Sequence, residues 1–166
     1  DSDIDVLIYH YNNSDYNYCK EELNFKKQIM NPKIINNIAK CKKRNDYIIS
    51  LIPNLIAQNR TILILTERIA QVDYIYDKVK ELEMTTIGKY IGKLRQDVLD
   101  ESLKCRIIIG TYNMIEEGFD CKTLDTLIMA TPKVTIEQSV GRILRKQKEE
   151  RTIKPLIIDI YDLFAN

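Results

Sequence analysis

The chain has 166 residues, 45% of them apolar and 30% charged, with a formal net charge of +1. That composition fits one globular domain with a sizeable core and excludes an intrinsically disordered chain. A charge so near zero excludes a generic polybasic nucleic-acid binder, although it leaves room for a local basic surface. No apolar run reaches the roughly 18 residues of a membrane helix, so a soluble, intracellular protein with no membrane partner is expected, its compartment unassigned. The four cysteines, Cys19, Cys41, Cys105 and Cys121, contain no C-x-x-C pair. With the single His10 they make neither a zinc site nor a disulfide framework, so reduced thiols and no bound metal are expected. The chain opens on Asp1 rather than Met and is read as a piece of something longer.

Residues 1–30 read as a lead-in segment or linker, with Ile4 to Tyr9 as an edge strand and a Tyr-, Asn- and Asp-rich stretch after it. Residues 31–166 read as the domain proper. Asn31-Pro32 has the form of a helix cap followed by proline in the first turn, and the helix is expected to continue to about Lys43. A second helix is expected from Asp46 to Gln58 on the face made by Ile48, Ile49, Ile52, Leu55 and Ile56, with Pro53 an awkward interior residue. Thr61 to Leu65 is a continuous apolar run suited to a strand buried on both faces, and Ile69 to Leu82 follows at helical spacing. Then come a weak strand at Thr85–Ile87, a short helix over Asp97–Ser102, and a buried strand at Ile107–Ile109 ending in Gly110-Thr111. Leu124–Ala130 is a strand, Thr135–Lys148 a helix, and Leu156–Ile160 the last strand. Strands alternating with helices predict βαβ units and a three-layer α/β domain with a parallel sheet.

Ligands of such sheets bind outside the carboxyl ends of the strands, so the chemistry is sought in the loops there. Gln138, Arg142 and Arg145 are spaced i, i+4, i+7 and share one helix face, with Ile136, Val140, Ile143 and Leu144 largely opposite. Two guanidiniums and an amide on one face suit a polyphosphate; the same spacing also fits a solvated basic face. Gly110-Thr111 can offer backbone N–H groups and a hydroxyl to a phosphate. In Glu117-Gly118-Phe119-Asp120 a carboxylate follows a glycine able to turn at positive φ; it can accept ribose hydroxyls, or simply cap a helix.

In this order the segments resemble the second RecA-like domain of superfamily 2 helicases and translocases, the DEAD/DEAH-related group. Thr61–Arg68 looks like motif IV, Gly110–Asp120 like motif V, and Gln138–Arg145 matches the Q-x-x-G-R-x-x-R form of motif VI. Tyr90-Ile91-Gly92-Lys93 resembles the loop before the helix between motifs IV and V. The resemblance covers roughly residues 33–162. It implies a RecA-like fold of the P-loop NTPase type and half of an ATP-dependent nucleic-acid motor. Arg145 would be the arginine finger reaching the γ-phosphate of ATP, worth about 10³–10⁵ in rate in other phosphoryl-transfer enzymes. Arg142 would sit beside it, and Gln138 would help read the phosphate or the attacking water. Asp120 would contact the ribose, with Gly118 and Glu117 shaping its loop. Thr111, Gly110 and Thr66 would face the sugar–phosphate backbone of DNA or RNA, with Arg68 and Lys93 as weaker candidates.

The chain contains no G-x-x-x-x-G-K-[ST] and no Asp-Glu-x-x box. Both belong to the first RecA-like domain of the family. The resemblance therefore implies an upstream partner domain that holds most of the ATP and its Mg2+, and a fragment that is inactive alone. Motif VI opens on Gln138 rather than His-Arg, which points towards a DNA-directed or DExH-like subgroup. Two alternatives share the fold: a RecA-like scaffold without turnover, and the translocase subunit of a restriction or remodelling complex. A dinucleotide-binding Rossmann enzyme is excluded, since no strand is followed by G-x-G-x-x-G.

Overall fold

The computed structural model describes residues 4–12, 31–116, 118–133, 141, 143–144 and 153–163. Six strands form one sheet in which every pairing is parallel: β1 (Asp5–Asn12), β2 (Ile62–Thr66), β3 (Ile87–Tyr90), β4 (Ile107–Thr111), β5 (Thr126–Met129) and β6 (Leu156–Leu163). The strand order is β1-β6-β5-β2-β4-β3, so β2 lies inside the sheet between β5 and β4. Five helices are described: α1 (Asn31–Lys40), α2 (Lys42–Ala57), α3 (Ile69–Glu81), α4 (Gln96–Ser102) and α5 (Tyr112–Glu116).

The apolar runs of β2 and β4 explain the layering. Successive side chains of a strand point to opposite faces. Ile62 and Ile64, with Ile107 and Ile109, therefore join one core, and Leu63, Leu65 and Ile108 join the other. The first core is closed by α2 and α3 through residues such as Ile48, Ile52, Val72 and Ile75. The second is closed by Tyr112 and Ile115 of α5, by Phe119, and by Ile143 and Leu144, which lie in helical backbone. A central strand with no polar face requires this arrangement.

The structure moves several expected boundaries. The first helix ends at Lys40 and the second begins at Lys42, with Cys41 extended between them (φ −73, ψ 103). Asn45 stabilises the break, its side-chain amide donating to the Ala39 carbonyl at 3.0 Å. The charged run Lys40–Lys43 has no apolar periodicity to mark such a joint. Pro53 is exposed and α2 runs through it, so the missing N–H lies on the solvent side. The third strand is Ile87–Tyr90 rather than Thr85–Ile87. It contains Gly88, where a Cβ would come within 2.6 Å of Ser102 on α4. β1 extends to Asn12 at the sheet edge, where Tyr9 and Tyr11 pack their rings 6.4 and 5.3 Å from that of Tyr47 on α2.

Candidate functional site

Because all six strands run the same way, their carboxyl ends share one edge of the sheet, and the loops after β2, β4 and β5 meet there. The junction is residue Thr131, two positions past β5 and wholly buried. Its hydroxyl accepts the backbone N–H of Glu67, from the loop after β2, at 2.9 Å. Its carbonyl accepts the hydroxyl of Tyr112, the first residue after β4, at 2.5 Å. Burial pushes the Tyr112 hydroxyl far above its ordinary pKa, so it remains a donor. One residue earlier, the Ala130 carbonyl accepts from Arg44 at 2.5 Å. Lys133 closes the group, 3.4 Å from the Glu67 carboxylate and 5.9 Å above the Tyr112 ring.

Arg44, on the first turn of α2, has no solvent exposure. Its Nε and one terminal nitrogen grip both carboxylate oxygens of Asp162 on β6 at 2.6 and 2.9 Å. A planar guanidinium held in this fork leaves its remaining nitrogen aimed at Ala130, so α2, β5 and β6 are fixed together.

The residues singled out from sequence fall into three groups. Thr66 is buried, and its hydroxyl donates to Gln71 and accepts the Arg68 N–H at 3.1 Å. Gln71 in turn donates to Asn45 at 2.8 Å, so this hydroxyl belongs to an internal chain that leads to the α1–α2 joint. Arg68 is only partly buried, and three neutral oxygens hold it: Asn36 Oδ1 at 2.6 Å, and the Glu67 and Pro32 carbonyls at 3.2 Å each. Its position is thus fixed while those partners leave its charge uncompensated. Gly110 is packed so tightly against β3 that a Cβ would lie 2.2 Å from the Tyr90 carbonyl oxygen, and Thr111 beside it is 6% exposed.

The second group is the turn after α5. Gly118 has φ +87, the left-handed conformation expected of it, and Asp120 is exposed. Phe119 between them is buried, its ring edge-on to Tyr90 at 5.0 Å, which pins the turn to the end of β3. Lys93 is exposed in the next loop with φ +73, an uncommon conformation for a residue with a side chain. The third group, Gln138, Arg142, Arg145 and Glu117, lies outside the described residues. The sequence assigns no role to Thr131, in the loop after the 124–130 strand, nor to Arg44 or Asn36. A Thr just before Pro132 at the end of a buried strand was the available signal for the first; an isolated Arg in a lysine run carries none. Among the described residues no group of three or more His, Cys, Asp or Glu side chains could hold a metal ion, and no helix is long and apolar enough to cross a membrane.

No protein-family model matches the chain. A protein of Acanthamoeba polyphaga mimivirus, named provisionally as an ATP-dependent RNA helicase, is 41% identical over 133 residues, covering 79% of this chain and 25% of its own length. A protein of Invertebrate iridescent virus 6, provisionally named a helicase, is 29% identical over 78% of this chain and 31% of its own. The chain thus spans roughly a quarter to a third of these relatives. Among solved structures, T4 UvsW superposes with a TM-score of 0.73 at 18% identity, over 97% of this chain and 33% of that one. The Sulfolobus solfataricus SWI2/SNF2 ATPase core in complex with double-stranded DNA gives 0.70 at 11% identity, over 97% and 41%. The C-terminal domain of the DEAD-box protein Dbp5 gives 0.61 at 12% identity, over 98% of this chain and 78% of that domain.

Proposed function

This chain belongs to the C-terminal RecA-like domains of superfamily 2 helicases, and from that premise we propose that it is the second motor domain of an ATP-dependent nucleic-acid helicase or translocase. The observation that carries the reading is the junction at Thr131. It hydrogen-bonds the loop after β2 and the residue after β4, and it leads directly into the segment bearing Gln138, Arg142 and Arg145. A motor needs its nucleic-acid loops and its nucleotide-facing residues mechanically joined, and a scaffold does not.

In this reading Arg145 is the arginine finger, stabilising charge on the γ-phosphate as it transfers, with Arg142 and Gln138 beside it. Ile143 and Leu144, interleaved with that triad, are buried in the core, as an amphipathic helix requires if its polar residues are to meet a partner. Asp120 receives the ribose, held out by the turn at Gly118. The backbone of the loop after β2, Thr111, Gly110, Arg68 and Lys93 meet the sugar–phosphate chain of the track. Thr66 acts through the loop it braces, since its hydroxyl is engaged inside the fold. ATP is the substrate. Its Mg2+ would be held by the partner domain, to which the Asp-Glu-x-x box of the family belongs. This domain alone is then inactive, because it supplies charge stabilisation without a phosphate cradle.

The test is steady-state ATP hydrolysis by the full-length protein, with and without single-stranded DNA or RNA, beside its Arg145→Ala variant. Turnover stimulated by one polymer and lost in the variant, by about 10³-fold or more, is expected. Unchanged turnover in a folded variant would remove Arg145 from the mechanism, and the stimulating polymer names the track.

A further inference from the structure

A groove of about 310 Å³ opens where the α1–α2 joint meets the start of α3. Its floor is apolar, from Ala39, Ile69, Ala70 and the Tyr74 ring, and its rim carries Lys40, Lys42 and Arg68. Two helices begin at this groove, and both break the usual rules. Neither α2 nor α3 has a side-chain cap or an acidic residue in its first turn. The positive end of a helix dipole is normally offset by such groups. At α2 the opposite occurs, because Lys42, Lys43 and Arg44 crowd its first turn. Arg44 is answered by Asp162, but Lys40, Lys42 and Lys43 are exposed and in no ion pair among the described residues. Arg68 is fixed by neutral oxygens only. A fixed Arg68, exposed lysines and uncapped helix starts that the fold leaves uncompensated suit an anion supplied from outside.

The anion must also have an apolar part to cover the floor. Asp46 accepts the Tyr74 hydroxyl at 2.7 Å, which holds the ring in place. A single nucleic-acid strand meets both needs, with phosphates on the rim and sugars or bases on the floor. We propose that this groove carries the track beyond the loop after β2, with Lys40 and Lys42 as phosphate contacts. The inference rests on the proposed motor function and extends its track to the far side of Arg68.

The test is binding of a fluorescent single-stranded oligonucleotide by the full-length protein across a salt series, comparing Lys40→Ala/Lys42→Ala with Lys80→Ala/Lys104→Ala. The control pair has the same charge change at exposed lysines, late in α3 and just after α4, that line no part of the groove. Each phosphate contact contributes about 0.7 to the slope of log affinity against log salt for single strands. The first variant should therefore be shallower by roughly 1.4, the control unchanged, and the loss equal for unrelated sequences. An unchanged slope in the first variant, or an equal loss in the control, overturns the groove while leaving the motor reading intact. Wild-type protein that binds duplex but no single strand overturns the groove alone, and wild-type protein that binds no nucleic acid overturns both.

Discussion

Gly110 illustrates how one residue can serve packing and a site at once. Its nearest neighbour, the Tyr90 carbonyl oxygen, is backbone of a hydrogen-bonded strand and cannot rotate aside. Gly110→Ala should therefore cost stability at or above the upper end of the roughly 1–3 kcal/mol typical of overpacking, read as a lower urea midpoint. Gly92→Ala meets nothing within 4 Å and has no positive φ, so it should leave the midpoint unchanged. Gly118→Ala lies between, with open space but φ +87; about 1 kcal/mol is expected from the backbone alone. A loss of nucleic-acid binding in Gly110→Ala would thus need a folded control before it spoke to the track, whereas a loss of nucleotide affinity in Gly118→Ala would bear on the turn that holds Asp120.

At the scale of elements, the α2–β6 connection is the least legible from sequence and among the most consequential. Arg44 is separated from Asp162 by 118 positions and is embedded in lysines that remain in solvent. Arg44→Met removes one partner of a buried pair and leaves a carboxylate beneath α2. A loss of about 3–5 kcal/mol is expected by chemical denaturation. Arg44→Met with Asp162→Leu should recover part of it, because the carboxylate that paired with Arg44 is then removed as well; a double variant no better than the single would point to Ala130 as the main loss. The central strands were legible for the opposite reason. Ile62–Leu65 and Ile107–Ile109 declare burial on two faces without reference to anything distant. Strand three lies beyond its expected place because Gly88 is selected by its contact with Ser102 rather than by strand propensity, and the five residues of α5 carry too little periodicity to announce a helix. The motif-bearing loops were legible in order, but the hydrogen bonds that join them at Thr131 depend on which strands become neighbours, and strand order is not written locally.

At the scale of the whole molecule, the question is whether the loops after β2, β4 and β5 respond together. The sheet alone would place them side by side; Thr131 makes them share hydrogen bonds. Thr131→Val keeps the shape and the backbone carbonyl that accepts the Tyr112 hydroxyl, and removes the acceptor for the Glu67 N–H. Leaving that donor unsatisfied should lower stability by about 1–3 kcal/mol. If the junction transmits nucleic-acid binding to the nucleotide-facing segment, the ratio of stimulated to unstimulated ATP turnover should also fall. Couplings of this kind span about 5–150-fold, so a decrease of at least about fivefold is expected, with unstimulated turnover preserved. Thr131→Ser restores the hydroxyl without the methyl group and should restore the ratio, even if its stability stays below wild type. Stability and ratio are separable readouts. A variant that melts earlier but is stimulated normally would show that the hydrogen bond only holds the edge together. A variant whose ratio collapses and is rescued by Ser would make Thr131 the point through which the track is felt at the nucleotide.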